Sequence, residues 1–188
     1  TGYRPTIFDS VDHVAEAIDQ ARCGSRVQEG STLFEFIDAD AFHVMGFQLA
    51  RMIYDDLKEQ DRMPDHFISI LRGGAPVGDM SYEYFKLMGH RTPYHVVKAE
   101  SYEGHKSGEL RFNWLDQALS QIERGQRVMV IDELMDTGKT MAALKDKLLK
   151  HGAGEVLLAA LLEKPDKNET PCDVKGYGPV PRTELDYR

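Results

Sequence analysis

Residues 128–140 read VMVIDELMDTGKT, and this stretch indicates how the chain folds. Its first four residues, Val128 to Ile131, are all apolar, as is expected of a strand that is covered on both faces of a sheet. Two adjacent acids, Asp132 and Glu133, follow that strand directly. The remaining polar residues, Asp136 to Thr140, lead into a segment with apolar residues at helical spacing. The stretch therefore predicts a strand, a polar turn and a helix.

Strands and helices alternate in both directions from this stretch. Short apolar runs predict strands, and segments with helical spacing between glycine or proline signals predict helices. The predicted strands are 67–71, 94–97, 128–131 and 156–162, and the predicted helices are about 41–58, 76–88, 115–122 and 140–151. This order is typical of an α/β fold in which a parallel sheet carries helices on both faces.

The length of 188 residues suits one domain with a real core, and a second full domain would be crowded. We divide the chain into an N-terminal extension at 1–30, a core at 31–164 and a C-terminal hood or tail at 165–188. The extension contains one short helix candidate, Val11 to Arg22. The polar, glycine-containing stretch Ser101 to Phe112 shows little periodicity, so we expect a mobile loop there.

Composition and charge argue against several classes of protein. A formal net charge of −8 argues against a protein whose main task is to bind nucleic acid or anionic lipid. No apolar run approaches a membrane span, and the start of the chain lacks the pattern of a signal peptide, so we expect a cytoplasmic protein. The two cysteines, Cys23 and Cys172, cannot make a disulfide framework, and the seven histidines show no metal-ligand spacing.

Three of the predicted strands end in residues that can carry chemistry. Arg72-Gly73-Gly74 follows the first strand, Asp132-Glu133 the third, and Glu163-Lys164 the last. Parallel sheets bind their ligands beyond the carboxyl ends of their strands. The sequence therefore predicts the functional site at that edge.

Asp136 to Thr140, taken alone, is open to more than one interpretation. An Asp or Thr at a helix start is a common cap, and the nearby carboxylates would then be merely solvated. Free backbone N–H groups, the Thr137 and Thr140 hydroxyls and the small Gly138 would equally make a phosphate cradle. A nucleotide-binding P-loop is excluded, because that motif needs a glycine where Glu133 stands.

The whole stretch resembles the phosphoribosyl-diphosphate signature of type I phosphoribosyltransferases: an apolar strand, two acids, two mostly apolar residues, then Asp-Thr-Gly-x-Thr. The likeness is closest to the hypoxanthine-guanine and xanthine branch and runs from roughly Leu33 to Lys164. It implies a parallel sheet flanked by helices, with a small hood and a flexible catalytic loop. It also implies a Mg²⁺-dependent purine-salvage enzyme, a homodimer or homotetramer. That enzyme would transfer a 5-phosphoribosyl group from phosphoribosyl diphosphate to a purine base, giving nucleoside monophosphate and diphosphate.

The resemblance also implies which residues bind the donor. Asp132 and Glu133 would bind the ribose hydroxyls, directly or through magnesium. The residues that would hold the 5′-phosphate, largely through backbone N–H groups, are Thr137, Gly138, Lys139 and Thr140. The residues of the diphosphate loop, where the resemblance implies a strained peptide, are Leu71, Arg72, Gly73 and Gly74; we call this segment the 71–74 loop.

Catalysis and base binding are implied for a further group. Asp136 would act near the purine N7 as general base or proton relay, and Arg72 would supply positive charge to the departing diphosphate. Ser101 and Tyr102 resemble the start of the catalytic loop, which would exclude water. Lys164 matches the lysine that contacts the exocyclic oxygen at purine C6, and Tyr177 is the candidate for a ring stacked on the base.

Two other functions fit parts of the sequence. The segment after Lys164 departs from the spacing of the purine enzymes, which would suit a phosphoribosyltransferase for another base or acceptor. A non-catalytic regulator that binds phosphoribosyl diphosphate would keep the fold without turnover. Arg72, Asp136 and the Ser101-Tyr102 pair disfavour the regulator, because such a protein has no need of catalytic groups.

Overall fold

The computed structural model describes residues 25–29, 32–36, 39–101 and 110–163, and these ranges contain seven strands and four helices. The strands are β1 (Ser25–Glu29), β2 (Thr32–Phe36), β3 (His66–Leu71), β4 (Tyr94–Ser101), β5 (Leu110–Asn113), β6 (Arg127–Met135) and β7 (Glu155–Glu163). The helices are α1 (Ala39–Glu59), α2 (Gly74–Leu87), α3 (Leu115–Leu119) and α4 (Lys139–His151). β1 and β2 pair as an antiparallel hairpin.

The main sheet has the strand order β5-β4-β3-β6-β7. Neighbouring pairs among β4, β3, β6 and β7 are parallel, and β5 lies antiparallel to β4 at one edge. The predicted α/β sheet with flanking helices is thus confirmed, with one antiparallel edge strand added. From β3 the chain passes through α2 to β4 on one side, and from β6 it passes through α4 to β7 on the other. The order therefore reverses between β3 and β6, where open sheets form a binding crevice.

Two hydrophobic cores cover the two faces of the sheet. Helices α1 and α2 pack on one face, whose buried side chains include Leu49, Ile53, Phe67, Phe85, Met129 and Ile131. Helices α3 and α4 pack on the other, whose buried side chains include Ile68, Leu115, Val128, Val130, Leu144 and Leu148. Burial on both faces explains why β3 and β6 read as continuous apolar runs rather than as alternating ones. Because β3 and β6 are parallel neighbours, α2 and α4, which follow them, begin at the same edge of the sheet but on opposite faces.

The elements differ from the prediction where strands continue beyond their apolar runs. β6 was predicted to end at Ile131, but it extends to Met135, because Asp132 and Leu134 continue the pairing with β7. The acids therefore lie within the strand rather than after it. Acidic residues are poor strand formers, which is why their propensity suggested an earlier end.

The prediction of a loop over 101–112 was wrong at the C-terminal end of that segment. Leu110–Asn113 forms β5, in which Glu100 pairs with Arg111 and Ala99 with Phe112. The predicted helix at 115–122 is also shorter, because α3 ends at Leu119 and turns follow it.

Some predictions fall outside the described residues. They are the helix candidate at Val11 to Arg22, the loop residues 102–109, the base contact Lys164 and the hood or tail at 165–188. Within the described ranges, no helix has the length and apolar character that a membrane span requires.

Candidate active site

The 71–74 loop and the acidic pair are in contact at the carboxyl ends of β3 and β6. A Cβ atom placed on Gly74 would lie 2.8 Å from Asp132 Oδ1, 3.0 Å from Asp132 Cα and 3.2 Å from the Ile131 carbonyl oxygen. A Cβ atom on Gly73 would overlap the carboxylate of Glu133. The loop needs glycine here, because only a residue without a side chain can approach another backbone so closely.

The regular alternation of side chains along β6 is interrupted at the acidic pair. Before it, Met129 and Ile131 join the core under α1 and α2. Strict alternation would then put Met135 on that same face and Leu134 on the other. Instead, Leu134 packs against the α1–α2 core and Met135 lies in the α3–α4 core. This change of phase explains how two consecutive carboxylates can lie beside the same loop.

Asp132 is poorly solvated and lies next to the half-buried Glu133. Asp132 is only 9% exposed, and its Oδ1 accepts a hydrogen bond from the backbone N–H of Glu133 at 2.9 Å. Burial raises the pKa of Asp132, and the neighbouring Glu133 carboxyl raises it further. A cation or a set of hydroxyl donors bound at this position would relieve the unfavourable electrostatics.

Magnesium fits this pair of residues. Mg²⁺ prefers oxygen ligands and is commonly held by one or two carboxylates together with water and substrate phosphates. Among the described ranges no group of three or more metal-ligating side chains occurs, so the described part of the chain provides no all-protein cage. Asp132 and Glu133 are oxygen ligands of the kind that Mg²⁺ uses together with water and phosphate.

Helix α2 begins at Gly74, the last residue of the 71–74 loop. Its N-cap residue, Gly73, makes no side-chain cap hydrogen bond, and its first turn contains no acidic residue. The backbone N–H of Ala75 donates to the Arg72 carbonyl oxygen at 3.2 Å, and the Arg72 side chain is exposed. The peptide bond between Leu71 and Arg72 is cis. The positive end of the α2 dipole thus lies next to the acidic pair without an acidic residue of its own.

Helix α4 begins four residues after β6 in a similar way. Its N-cap residue, Gly138, has a φ of 77° and makes no side-chain cap hydrogen bond, and the first turn of α4 contains no acid. The positive φ explains the glycine at this position. The Thr137 hydroxyl oxygen accepts the N–H of Lys139 at 3.4 Å, which is a long contact. Helix starts of this kind bind phosphate well, because their backbone N–H groups and dipole favour an anion.

Glu100 lies at the base of the predicted catalytic loop, one residue before the end of β4. It forms an ion pair with Lys98 and accepts a hydrogen bond from Asn113 Nδ2 at 2.7 Å. Lys98, followed by Asn113, lowers the pKa of Glu100. These contacts join β4 to β5 beside Ser101.

The structure brings together most of the predicted donor-binding residues. Gly73 and Gly74 lie against Glu133 and Asp132, Leu71 and Arg72 precede them directly, and 136–140 connect β6 to α4 at the same edge. Ser101 ends β4, and only its backbone is described. Tyr102, Lys164 and Tyr177 lie outside the described residues.

Ser69 is a residue that the sequence prediction missed. Its hydroxyl is buried and donates a hydrogen bond to the carbonyl oxygen of Gly74 at 2.8 Å. The available signal was small: Ser69 is the only polar residue in the otherwise apolar run FISIL.

Comparison with known proteins agrees with this geometry. The phosphoribosyl transferase domain family matches residues 40–177. A hypoxanthine-guanine phosphoribosyltransferase of Streptococcus pneumoniae is 27% identical over 99 residues, which cover 53% of this chain and 53% of that protein. The chain therefore spans about half the length of the first curated relatives that it matches.

Two solved structures show the same fold. A protein of Neisseria gonorrhoeae with bound ppGpp superimposes with a TM-score of 0.60 at 24% identity, covering 77% of this chain and 81% of that one. A hypoxanthine phosphoribosyl transferase of Trypanosoma cruzi superimposes with a TM-score of 0.58 at 16% identity, covering 74% of each chain. Because the family model covers well over half of the sequence, the chain belongs to the phosphoribosyl transferase domain family.

Proposed function

We propose that the chain transfers a 5-phosphoribosyl group from phosphoribosyl diphosphate to a purine base of the hypoxanthine, guanine or xanthine type. One observation carries the proposal. Two helix starts without acidic residues, those of α2 and α4, come from opposite faces of the sheet and flank the buried Asp132 and the half-buried Glu133. The described site therefore offers two anion positions with an acidic position between them.

The donor has a matching distribution of charge. Phosphoribosyl diphosphate carries a phosphate at one end, a diphosphate at the other and two ribose hydroxyls between them. In the proposed complex, the start of α4 with Thr137 to Thr140 binds the 5′-phosphate. The 71–74 loop and the start of α2 bind the diphosphate. Asp132 and Glu133 accept hydrogen bonds from the ribose hydroxyls, which a carboxylate does well when it is ionised.

The reaction replaces one bond at C1 of the ribose by another. The bond from C1 to the diphosphate oxygen breaks, positive charge develops on the sugar, and a ring nitrogen of the base forms the new bond to C1. Arg72 and the N–H groups of α2 stabilise the negative charge on the departing diphosphate, since preorganised dipoles are most effective where charge develops. Magnesium held with Asp132 and Glu133 would supply further neutralisation of that charge.

Asp136 is the proposed proton acceptor. The base loses a proton as its nitrogen bonds to C1, and a carboxylate near N7 can take it. Asp136 lies in the turn between β6 and α4, and it is exposed, as a group that must meet a second substrate has to be.

The choice of a 6-oxopurine as acceptor is supported by the relatives, several of which are named hypoxanthine-guanine phosphoribosyltransferases. We assign base recognition to Lys164 and Tyr177, and closure over the reacting centre to Ser101 and Tyr102. In this proposal, 31–164 is the catalytic core and 165–188 completes the base pocket. The active form is a homodimer or homotetramer.

The direct test is turnover. The full chain is incubated with Mg²⁺ and phosphoribosyl diphosphate plus hypoxanthine, guanine, xanthine, adenine, uracil or orotate in separate reactions, and nucleoside monophosphate and diphosphate are measured. We expect activity with the 6-oxopurines only. Activity confined to adenine or a pyrimidine would refute the proposed acceptor. Tight binding of phosphoribosyl diphosphate without turnover of any base would identify a regulator instead of an enzyme.

A further inference from the structure

Ser69 lies in the middle of β3, and its side chain is fully buried, with 0% exposure. A buried hydroxyl destabilises a fold unless it is hydrogen-bonded. Ser69 Oγ meets this need by donating to the Gly74 carbonyl oxygen at 2.8 Å, on the far side of the 71–74 loop. The bond therefore connects the strand before the loop to the first residue of the helix after it.

Gly74 is held from its other side by β6. A Cβ atom on Gly74 would come within 3.0 Å of Asp132 Cα and 3.2 Å of the Ile131 carbonyl oxygen, both of them backbone atoms. Gly74 is therefore enclosed between the Ser69 hydroxyl and the backbone of the acidic strand. A movement of Gly74 away from Ser69 would change the position of the whole 71–74 loop against Asp132 and Glu133.

The fit around Ser69 also depends on Gly78, one turn further along α2. A Cβ atom on Gly78 would lie 2.5 Å from Ser69 Oγ, 2.7 Å from Ser69 Cβ and 2.9 Å from the Tyr94 hydroxyl. Gly78 thus lets α2 lie directly on β3 and β4, with the Ser69 and Tyr94 oxygens in the space that a side chain would fill. Ser81, further along the same helix, makes a useful comparison, because its hydroxyl is also fully buried but has no hydrogen-bond partner among the described residues.

We propose that Ser69 is a positioning residue that holds Gly74, and with it the 71–74 loop, in the geometry that binds the diphosphate of the donor. The proposal rests on the proposed function, because it assigns the diphosphate to this loop. Ser69 touches no reacting atom. It acts through Gly74, so its loss weakens use of the donor and leaves the affinity for the base unchanged.

Three variants test this role. Ser69→Ala removes the hydrogen-bond donor, and Ser69→Cys keeps a weak S–H donor of similar size. Ser81→Ala is the matched control, because it removes a buried hydroxyl of α2 that makes no hydrogen bond among the described residues. Steady-state kinetics with Mg²⁺ and a base that the wild-type chain uses give the KM for each substrate. Thermal unfolding of the same proteins measures stability separately.

We expect Ser69→Ala to raise the KM for phosphoribosyl diphosphate about tenfold, Ser69→Cys to raise it about threefold, and Ser81→Ala to change it less than about twofold. A Ser69→Ala protein that unfolds at lower temperature but keeps the wild-type KM overturns the proposal, because the hydroxyl then serves stability alone. If Ser69→Ala does not fold, an unchanged KM in Ser69→Cys overturns it in the same way.

Failure of the proposed function gives a different result. The wild-type chain would then turn over no base, whereas failure of the Ser69 proposal leaves the wild type active and the variants unchanged. Without turnover, calorimetric binding of phosphoribosyl diphosphate in the presence of Mg²⁺ replaces the kinetics. Equal dissociation constants for wild type and Ser69→Ala would overturn the positioning role.

Discussion

The two edges of the main sheet treat charge in opposite ways. At the amino ends of the strands, Glu155 forms ion pairs with Arg62 and Arg127, and the carboxylate of Asp65 accepts a hydrogen bond from the backbone N–H of Arg127 at 2.7 Å. At the carboxyl ends, Asp132 and Glu133 bring two carboxyl groups together beside two helix starts without acidic residues. Opposite charges pair at the amino edge, whereas the acidic pair at the carboxyl edge suits a cation or the hydroxyl donors of a ligand.

The histidines at the amino edge also have hydrogen-bond partners within the fold. His66 Nε2 lies 2.9 Å from Gln126 Oε1, and His66 Nδ1 lies 3.1 Å from His95 Nε2. The amide oxygen can only accept, so His66 carries its proton on Nε2 and accepts through Nδ1 from the Nε2–H of His95. Each described contact has a donor and an acceptor, as expected of residues that stabilise the fold.

The largest effect on activity is expected from a substitution of Asp136 at the carboxyl edge. Asp136→Asn removes the proposed proton acceptor but leaves the helix start of α4 in place. We expect kcat to fall by about 10²- to 10⁴-fold, with little change in the dissociation constant of phosphoribosyl diphosphate. Rapid-quench or steady-state kinetics and calorimetry measure the two quantities.

Asp146→Asn is the matched control, because Asp146 is exposed on α4, where it pairs with Lys150. It should retain wild-type kinetics. Equal losses of donor binding and kcat in Asp136→Asn would deny Asp136 a role in proton transfer.

The second largest effect on activity is expected from a substitution of Gly74. In Gly74→Ala the new Cβ meets the backbone of Asp132 and Ile131, so the 71–74 loop must move away from the acidic pair. We expect kcat/KM for phosphoribosyl diphosphate to fall about a hundredfold, as misplacement by about 1 Å commonly causes.

Gly46→Ala provides the comparison for Gly74→Ala. Gly46 is in α1, and its added Cβ would meet only the flexible end and Cβ of the Met80 side chain among its close neighbours. We expect Gly46→Ala to keep its kinetics. Wild-type kcat/KM in Gly74→Ala would show that the close approach of the loop to β6 is not needed.

Asp132→Asn is expected to separate stability from function. Burial beside Glu133 raises the pKa of Asp132 to about 9, so Asp132 must take up a proton when the ligand-free chain folds at neutral pH. Asn requires no proton and keeps an oxygen that can accept the Glu133 N–H, so the substitution should stabilise the fold by about 1 kcal/mol, which raises Tm by about 2–4 °C for a chain of this size. Binding of phosphoribosyl diphosphate with Mg²⁺ should weaken about tenfold.

Differential scanning calorimetry and titration with the donor measure the two changes. A lower Tm together with unchanged donor affinity would indicate that Asp132 is a structural residue, like those of the amino edge.

The sequence indicated the candidate site residues at the end of β6 more clearly than those at the end of β3. The β6 residues could be recognised, because Asp132, Glu133 and Asp136 to Thr140 lie within a single contiguous motif. The β3 residues could be recognised only in part. Arg72-Gly73-Gly74 suggested a loop, but the contact of Gly74 with Asp132 joins residues far apart in sequence, and local patterns do not encode such distances.

The end of β6 and the strand β5 show the same limit. Asp132 and Glu133 have low strand propensity, and the pairing of Asp132 with Ala160 on β7 outweighs it. Leu110 to Asn113 looked like loop for want of periodicity, and its pairing with β4 makes it a strand. In both cases tertiary hydrogen bonds decided the structure against local preference.

The smallest expected effect lies at the amino edge, in the response of stability to pH. Burial lowers the pKa of His95, and the nearby His66 lowers it further, so the folded chain binds the His95 proton less readily than the unfolded chain does. Stability from this residue is complete above the unfolded pKa of about 6.5 and decreases as the pH falls below it. His95→Gln has no group to protonate, so its Tm should fall less than that of the wild type between pH 7.5 and about 5.5. Since the carboxyl edge is unchanged, kcat/KM at pH 7.5 should remain that of the wild type. A change in donor affinity in His95→Gln would mean that the two edges are coupled, which would contradict the division of charge between them.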